Sequence, residues 1–229
     1  MKFDFHQFRY VIAIVLLCHT IKGGVMAEQI EGHVVLPAPA VTTKPSIERL
    51  LQQRRSIRAY QAGMAISLSE LGQLLWAAQG ITHPQGLRTA PSAGALYPLE
   101  LFIAVGHVDG VPAGLYRYHP HRHQLSKTDE HDLRRPLARA ALSQTWIQDA
   151  AAVVIITAVY DRTKSKYGER GIRYVHMEVG HAAQNIFLQS EALGLGTAVV
   201  GAFHDGQIAD LLQLASNMSP LLIMPVGKK

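Results

Sequence analysis

The sequence predicts a single domain built of both helices and strands, and three stretches carry that prediction. From Leu99 to Val105, the residues Leu99, Leu101, Ile103 and Val105 alternate with Glu100, Phe102 and Ala104, the period of a strand with one face in a core. Ala152 to Tyr160 is a continuous apolar run of strand length, which predicts a central strand buried on both faces. From about Arg170 to Leu193 the apolar positions Val175, Val179, Ala182 and Ile186 recur at helical spacing until Gly194 stops the pattern. At 229 residues the chain fits one domain with a sizeable core, and a composition 48% hydrophobic and 17% charged excludes a disordered chain.

The N-terminus is set apart from that domain. Lys2 and Arg9 flank an apolar run from Val11 to Cys18, and Gly23, Gly24 and Ala27 supply small residues, so residues 1–27 read as an export signal cleaved after Ala27. The run is shorter than the ~20 residues of a membrane span, so no stable span is expected in the mature chain, which would be periplasmic or secreted. An uncleaved membrane anchor is the alternative. Cys18 is the single cysteine, so the mature chain has no disulfide, thiolate nucleophile or cysteine metal ligand. Removing residues 1–27 takes away Lys2, Arg9 and Lys22 with only Asp4 to offset them, which lowers the net charge from +5 to +3. No basic run is interleaved with aromatics, and the residual charge suits an anionic cofactor rather than nucleic acid.

Residues 28–45, with Pro37, Pro39 and Pro45, read as an extended arm, and residues 46–229 as the folded domain. Ser46 is the expected N-cap of a short helix with Ile47, Leu50 and Leu51 on one face. Ser67 and Glu70 form a capping box ahead of a second helix, with Leu71, Leu74, Leu75 and Ala78 at core spacing and Gly80 as its C-cap. Leu115–Tyr118 and Gln124–Lys127 predict a hairpin, Asp129–Leu142 a helix that Pro136 would kink, and residues 161–168 a polar loop. Asp205 is the expected cap of a last helix carrying Ile208, Leu211 and Leu212, before a closing strand from Leu221 to Val226.

Several chemistries fail on pattern. His119, His121 and His123 alternate around Pro120 in a turn with no carboxylate or cysteine to complete a metal set, and read as a solvated loop. His176 and His181 are about 140° apart around a helix, not an i, i+4 ligand pair, so no metal is expected. Ser92 lacks the Gly-x-Ser-x-Gly elbow of a serine hydrolase, and Gly194-Leu195-Gly196 follows a helix where a dinucleotide fingerprint follows a strand. What remains is Arg54-Arg55-Ser56-Ile57-Arg58, three guanidiniums and a hydroxyl where the first helix ends, a set suited to phosphate oxygens.

That opening, then Ala90-Pro91-Ser92-Ala93-Gly94-Ala95-Leu96-Tyr97-Pro98, the stretch Glu178–Asn185, and Ala192-Leu193-Gly194-Leu195-Gly196-Thr197 with Gly201, stand in the order found in the nitroreductase family. The chain resembles that family over about residues 46–227, and within it the branch of SagB-type dehydrogenases that includes azoline oxidases. Ala95-Leu96-Tyr97 departs from the Ser-Asn common in nitroreductases and is as the SagB-like branch tends to have it.

The resemblance implies an α+β fold with a central mixed or antiparallel sheet flanked by helices, in a homodimer that exchanges segments and holds FMN in two interface clefts. In such relatives an arm like residues 28–45 often lies on the partner subunit. By resemblance, Arg54, Arg55, Ser56 and Arg58 bind FMN, Arg58 near N1, with Lys228 or Lys229 as a further basic group at the phosphate. Val199, Val200 and Gly201 would support the ring, and Pro91, Ser92, Ala93 and Gly94 would reach it from the other subunit. The implied activity is hydride transfer between NAD(P)H or an organic donor and an organic acceptor. One alternative is oxidation of an azoline-like small molecule or modified peptide, for which Lys166 and Tyr167 would be catalytic; another is a flavin-binding protein without turnover.

Overall fold

The computed structural model describes residues 29–30, 32–41 and 45–229. The expected export segment, residues 1–27, lies outside them. In chain order the elements are β1 (Gln29–Ile30), β2 (His33–Val35), α1 (Ile47–Gln53), α2 (Leu68–Gln79), β3 (Leu99–Val105), β4 (Gly114–His119), β5 (Gln124–Asp129), α3 (Arg134–Ala140), β6 (Ala152–Ala158), α4 (Tyr160–Tyr167), α5 (Arg170–Ala192), β7 (Leu195–Thr197), α6 (Asp205–Leu211) and β8 (Ser219–Lys228). The strands form one sheet in the order β1-β2-β5-β4-β3-β6-β8-β7, with every neighbouring pair antiparallel. This is the α+β class, with the sheet antiparallel rather than mixed among the described residues.

Both faces of the sheet are covered. Leu99, Leu101, Ile103 and Val105 of β3, and Val154 and Ile156 of β6, pack into a core with Leu71, Leu75, Val175, Val179 and Ile186 of α2 and α5. Phe102 and Ala104 of β3, and Val153 and Ile155 of β6, point the other way into a second core with Leu137 of α3 and Ile208 of α6. The strand expected to be buried on one face is therefore buried on two. Small or aromatic residues at its alternate positions obscured that in the sequence.

Local signals set the helices. Ser46 caps α1, accepting from Arg49 N, and Ser67 with Glu70 closes the capping box of α2, where Glu70 N donates to Ser67 Oγ at 3.1 Å. Gly80 ends α2 in extended backbone at φ −64°, not in the left-handed cap; a Cβ there would stand 2.1 Å from Trp76 Cδ1 and 2.6 Å from its carbonyl oxygen.

Three expectations are corrected. The helix expected from Asp129 to Leu142 runs only from Arg134 to Ala140, because Asp129 ends β5; Pro136 falls in the first turn, where a missing N–H costs no helical bond. Residues 161–167, expected with Gly168 as a loop, belong to α4. Only Thr163 of that helix is buried, and it is held by docking on α5 so closely that a Cβ on Gly171 would lie 2.9 Å from Lys164 N. His204, not Asp205, occupies the cap of α6, and no side chain bonds there. The described part of residues 28–45 pairs within this chain: β2 extends the sheet beside β5, Leu36 N donates to His123 O at 3.1 Å, and Ala40 N donates to Gln73 Oε1 at 2.8 Å.

The turn histidines take part in that docking instead of being merely solvated. His123 bonds Tyr118 Oη through Nδ1 at 2.9 Å and the Pro37 carbonyl through Nε2 at 3.1 Å, while His119 Nε2 bonds Ser126 Oγ at 2.7 Å. His121 is exposed.

Candidate active site

The arginine segment leaves α1 at Arg54, whose N–H still donates to Leu50 O at 2.9 Å, and then runs extended along the sheet edge. Ile57 N donates to Thr197 O of β7 at 2.9 Å, and Gln61 N to Lys228 O of β8 at 2.9 Å. Tyr60 Oη bonds the carbonyls of Ile57 at 3.0 Å and Pro225 at 3.1 Å, and burial pushes its phenol well above the usual range. This close approach needs glycine on the sheet side: a Cβ on Gly196 would stand 2.7 Å from Ile57 Cγ2.

The four candidate residues of that segment are not equivalent. Arg54 is half-buried with its guanidinium 5.2 Å from the Phe187 ring centroid, and Arg58 is exposed 5.9 Å from that of Trp146. Neither is in an ion pair among the described residues. Arg55 folds back, its Nη1 donating to the carbonyls of Gln52 and Arg54 at 2.8 Å each, and so covers the C-terminal end of α1. Ser56 is exposed. Lys228 is engaged elsewhere: its Nζ lies 2.6 Å from Glu70 Oε1, and Lys229 Nζ lies 3.0 Å from both carboxylate oxygens of Glu191.

Val199, Val200 and Gly201 follow β7 after Ala198, two to four residues beyond the Thr197 carbonyl that accepts from Ile57 N. Val200 exchanges backbone bonds with Ile223 at 2.8 and 3.0 Å, Val199 is half-buried, and Gly201 is exposed, with Leu222 Cδ2 the nearest atom to a Cβ there at 3.9 Å. That leaves the backbone at Gly201 open.

The second group forms around the loop before β3. Pro91 is exposed, Ser92 and Ala93 are half-buried, and Ser92 Oγ accepts from Tyr97 N at 2.9 Å to close the turn. Gly94 sits at φ +64°, and a Cβ there would be 3.0 Å from Tyr167 Oη and 3.2 Å from Lys166 Nζ. The two residues proposed as catalytic from α4 are thus placed against the loop proposed to meet a cofactor. Ala95 and Tyr97 also hold positive φ, at 54° and 45°, so this turn stores strain.

Behind the loop lies Glu178 of α5, only 2% exposed, with Oε1 unpartnered. Burial raises its carboxyl to about 7, opposed by the Ser92 hydroxyl and the charge of Arg88. Its role was not assigned from sequence, although the signal was present: Glu178 follows Val175 by three and precedes Ala182 by four, which puts a carboxyl on the buried face. The two groups touch different parts of α5. Arg54 stacks on Phe187 and the loop lies by Glu178, nine residues away, or about 14 Å of helix.

The profile of the Nitroreductase family matches residues 51–228. The chain belongs to the nitroreductase family. Among its relatives, a protein of Methanocaldococcus jannaschii named as a nitroreductase is 48% identical over 183 residues, which is 80% of this chain and 91% of that one. The microcin B17-processing protein McbC of Escherichia coli is 28% identical over 171 residues, covering 71% of this chain and 62% of McbC. A crystal structure described as a nitroreductase from Ralstonia eutropha superimposes with a TM-score of 0.74 at 28% identity over 92% of this chain and 97% of that one. The NADPH:FMN oxidoreductase of Vibrio harveyi, complexed with NAD+, shares the fold at a TM-score of 0.57 and 21% identity, over 79% of this chain and 67% of that one. This nitroreductase-family chain therefore places an open guanidinium edge and a strained Ser-Ala-Gly turn on one α+β scaffold.

Proposed function

We propose that this nitroreductase-family chain is an FMN-dependent oxidoreductase that transfers a hydride between NAD(P)H or an organic donor and an organic acceptor. The observation that carries this reading is the pair of guanidiniums, Arg54 and Arg58, on a segment docked on β7 through the Ile57–Thr197 bond, with no carboxylate in ion-pair contact among the described residues. Such a donor set fits a phosphate monoester. Arg54, Arg58 and the Ser56 hydroxyl would hold that phosphate, and Arg55 and Lys228 would contribute less because carbonyls and Glu70 already engage them. Val199, Val200 and Gly201 would carry the ring. FMN, when bound, supplies the hydride acceptor and donor, while the chain binds and orients it.

The Pro91–Gly94 turn sits about 14 Å along α5 from the Arg54 contact, and by the family resemblance we assign it to the site of a second copy, with a homodimer as the working unit. We place this unit in residues 46–229, with residues 1–27 directing export. Steady-state oxidation of NADH and NADPH with quinone and nitroaromatic acceptors tests the reading. Turnover of either nucleotide supports it; flavin binding without any turnover would leave a flavin-binding protein.

One observation favours a second reading, the SagB-type oxidation of an azoline-like substrate. Lys166 Nζ and Tyr167 Oη both reach the Gly94 turn, where the lysine as a neutral amine would accept the proton that leaves as hydride departs and the phenol would donate a hydrogen bond. McbC, the microcin-processing relative, keeps this reading in view. Lys166→Ala and Tyr167→Phe are expected to slow substrate dehydrogenation about a hundredfold or more while flavin occupancy stays full, measured by rapid mixing. Unchanged half-reactions in both variants would reduce the pair to helix residues.

A further inference from the structure

Away from the arginine segment, a cavity of about 410 Å³ opens between the end of α2, the start of β3 and the β4–β5 turn. That is the size of a small-molecule pocket rather than a site for one bare ion. Arg88, Arg122 and Arg162 line it against a single carboxylate, Glu100. The carboxylate is already shared, since Arg162 Nη2 donates to its Oε1 at 2.6 Å and Arg117 Nη2 to its Oε2 at 3.1 Å.

Arg88 has no carboxylate in ion-pair contact among the described residues. Its Nη1 donates to the neutral Gln79 Oε1 at 2.8 Å, its guanidinium lies 4.5 Å from the Tyr97 ring centroid, and its Nε is buried without a partner. Gln79 is fully buried, and its Nε2 is unpartnered too. Glu178, whose field also reaches Arg88, is buried and itself unsatisfied at Oε1. Buried donors left open, one on a guanidinium that is in no ion pair among the described residues, cost free energy that a bound anion would recover. Burial, and after it the charge of Arg117, holds His119 on the pocket wall below its ordinary value.

We propose that this cavity binds a small organic oxyanion, a carboxylate or a phosphate monoester, through Arg88 and Gln79 with Arg162 and Arg122 at its sides. The pocket lining includes none of the residues assigned to FMN or to proton transfer, so the site stands whether or not the chain binds flavin.

The test titrates the labelled full-length chain with benzoate, succinate, phenyl phosphate and inorganic phosphate, with chloride as the ionic-strength control. The Arg88 Nε–H and Gln79 side-chain amide resonances report directly. Both should shift saturably with one oxyanion class at about millimolar concentration or below, and not with chloride. The class that saturates identifies the anion. Arg88→Gln should raise the dissociation constant about tenfold or more, and Arg54→Ala should leave it unchanged. Arg122 is exposed, so Arg122→Ala preserves the fold and should weaken binding severalfold. No saturable shift with any oxyanion at about 10 mM would overturn the proposal, as would affinities unchanged in both Arg88→Gln and Arg122→Ala, or an equal loss in Arg54→Ala.

Discussion

Arg54 lies half-buried over the Phe187 ring while Arg55 donates back to the carbonyls of Gln52 and Arg54, so adjacent guanidiniums face different partners. Arg54→Ala is expected to weaken FMN binding by about 1.5 to 3 kcal/mol, roughly ten- to more than a hundredfold. Arg55→Ala should cost clearly less, and fluorescence titration of flavin-free protein separates the two. Equal affinities in wild type and Arg54→Ala would mean that the cluster is only a solvated turn. Glu178 gives a pH signature. Its carboxyl is raised by burial from the ordinary 4.5 to about 7, so below pH 4.5 it is protonated folded or unfolded and adds no slope. Between those values the native state alone keeps the proton, and stability falls as pH rises, by ~3 kcal/mol once pH exceeds 7. Glu178→Gln should flatten that decline in denaturant melts from pH 5 to 8; an identical decline in both proteins would remove Glu178 as its source.

At the scale of elements, the glycine edge of β7 decides where the arginines lie. A Cβ on Gly196 would press on Ile57 at 2.7 Å, so Gly196→Ala should push the segment from Arg54 to Arg58 off Thr197. Overpacking of this kind costs about 1 to 3 kcal/mol, and FMN affinity should drop although no flavin ligand is altered. Unchanged affinity with unchanged stability would contradict that docking. How far the sequence disclosed such elements follows from where their stability comes from. α2 and α5 were legible because their apolar spacing and the Ser67–Glu70 box are local. α4 was not, because among its residues only Thr163 is buried, and its helix rests on docking against Gly171, a tertiary contact with no local pattern. Arg54, Ser92 and Gly94 were found as motif residues, yet the engagement of Arg55 by helix carbonyls and of Lys228 by Glu70 depends on partners the spacing does not encode. Glu178 was readable as a buried carboxyl but had no partner in sequence to give it a role.

Across the whole molecule, the arginine edge and the Ser-Ala-Gly turn contact α5 about 14 Å apart, and each is open on one side. Large apolar side chains also stand uncovered on α1 and α5: Ile47 is 51% exposed, Leu51 53% and Met177 52%. A second copy that covers them would also join the two halves of the site, and its loss would release the cofactor. Size-exclusion chromatography of the purified chain, reconstituted with FMN and followed by light scattering and flavin absorbance, tests this most directly. The account predicts a dimer carrying one flavin per chain, released on denaturation as FMN and not FAD. A colourless protein that takes up no FMN, or a fully loaded monomer at micromolar concentration, would contradict it.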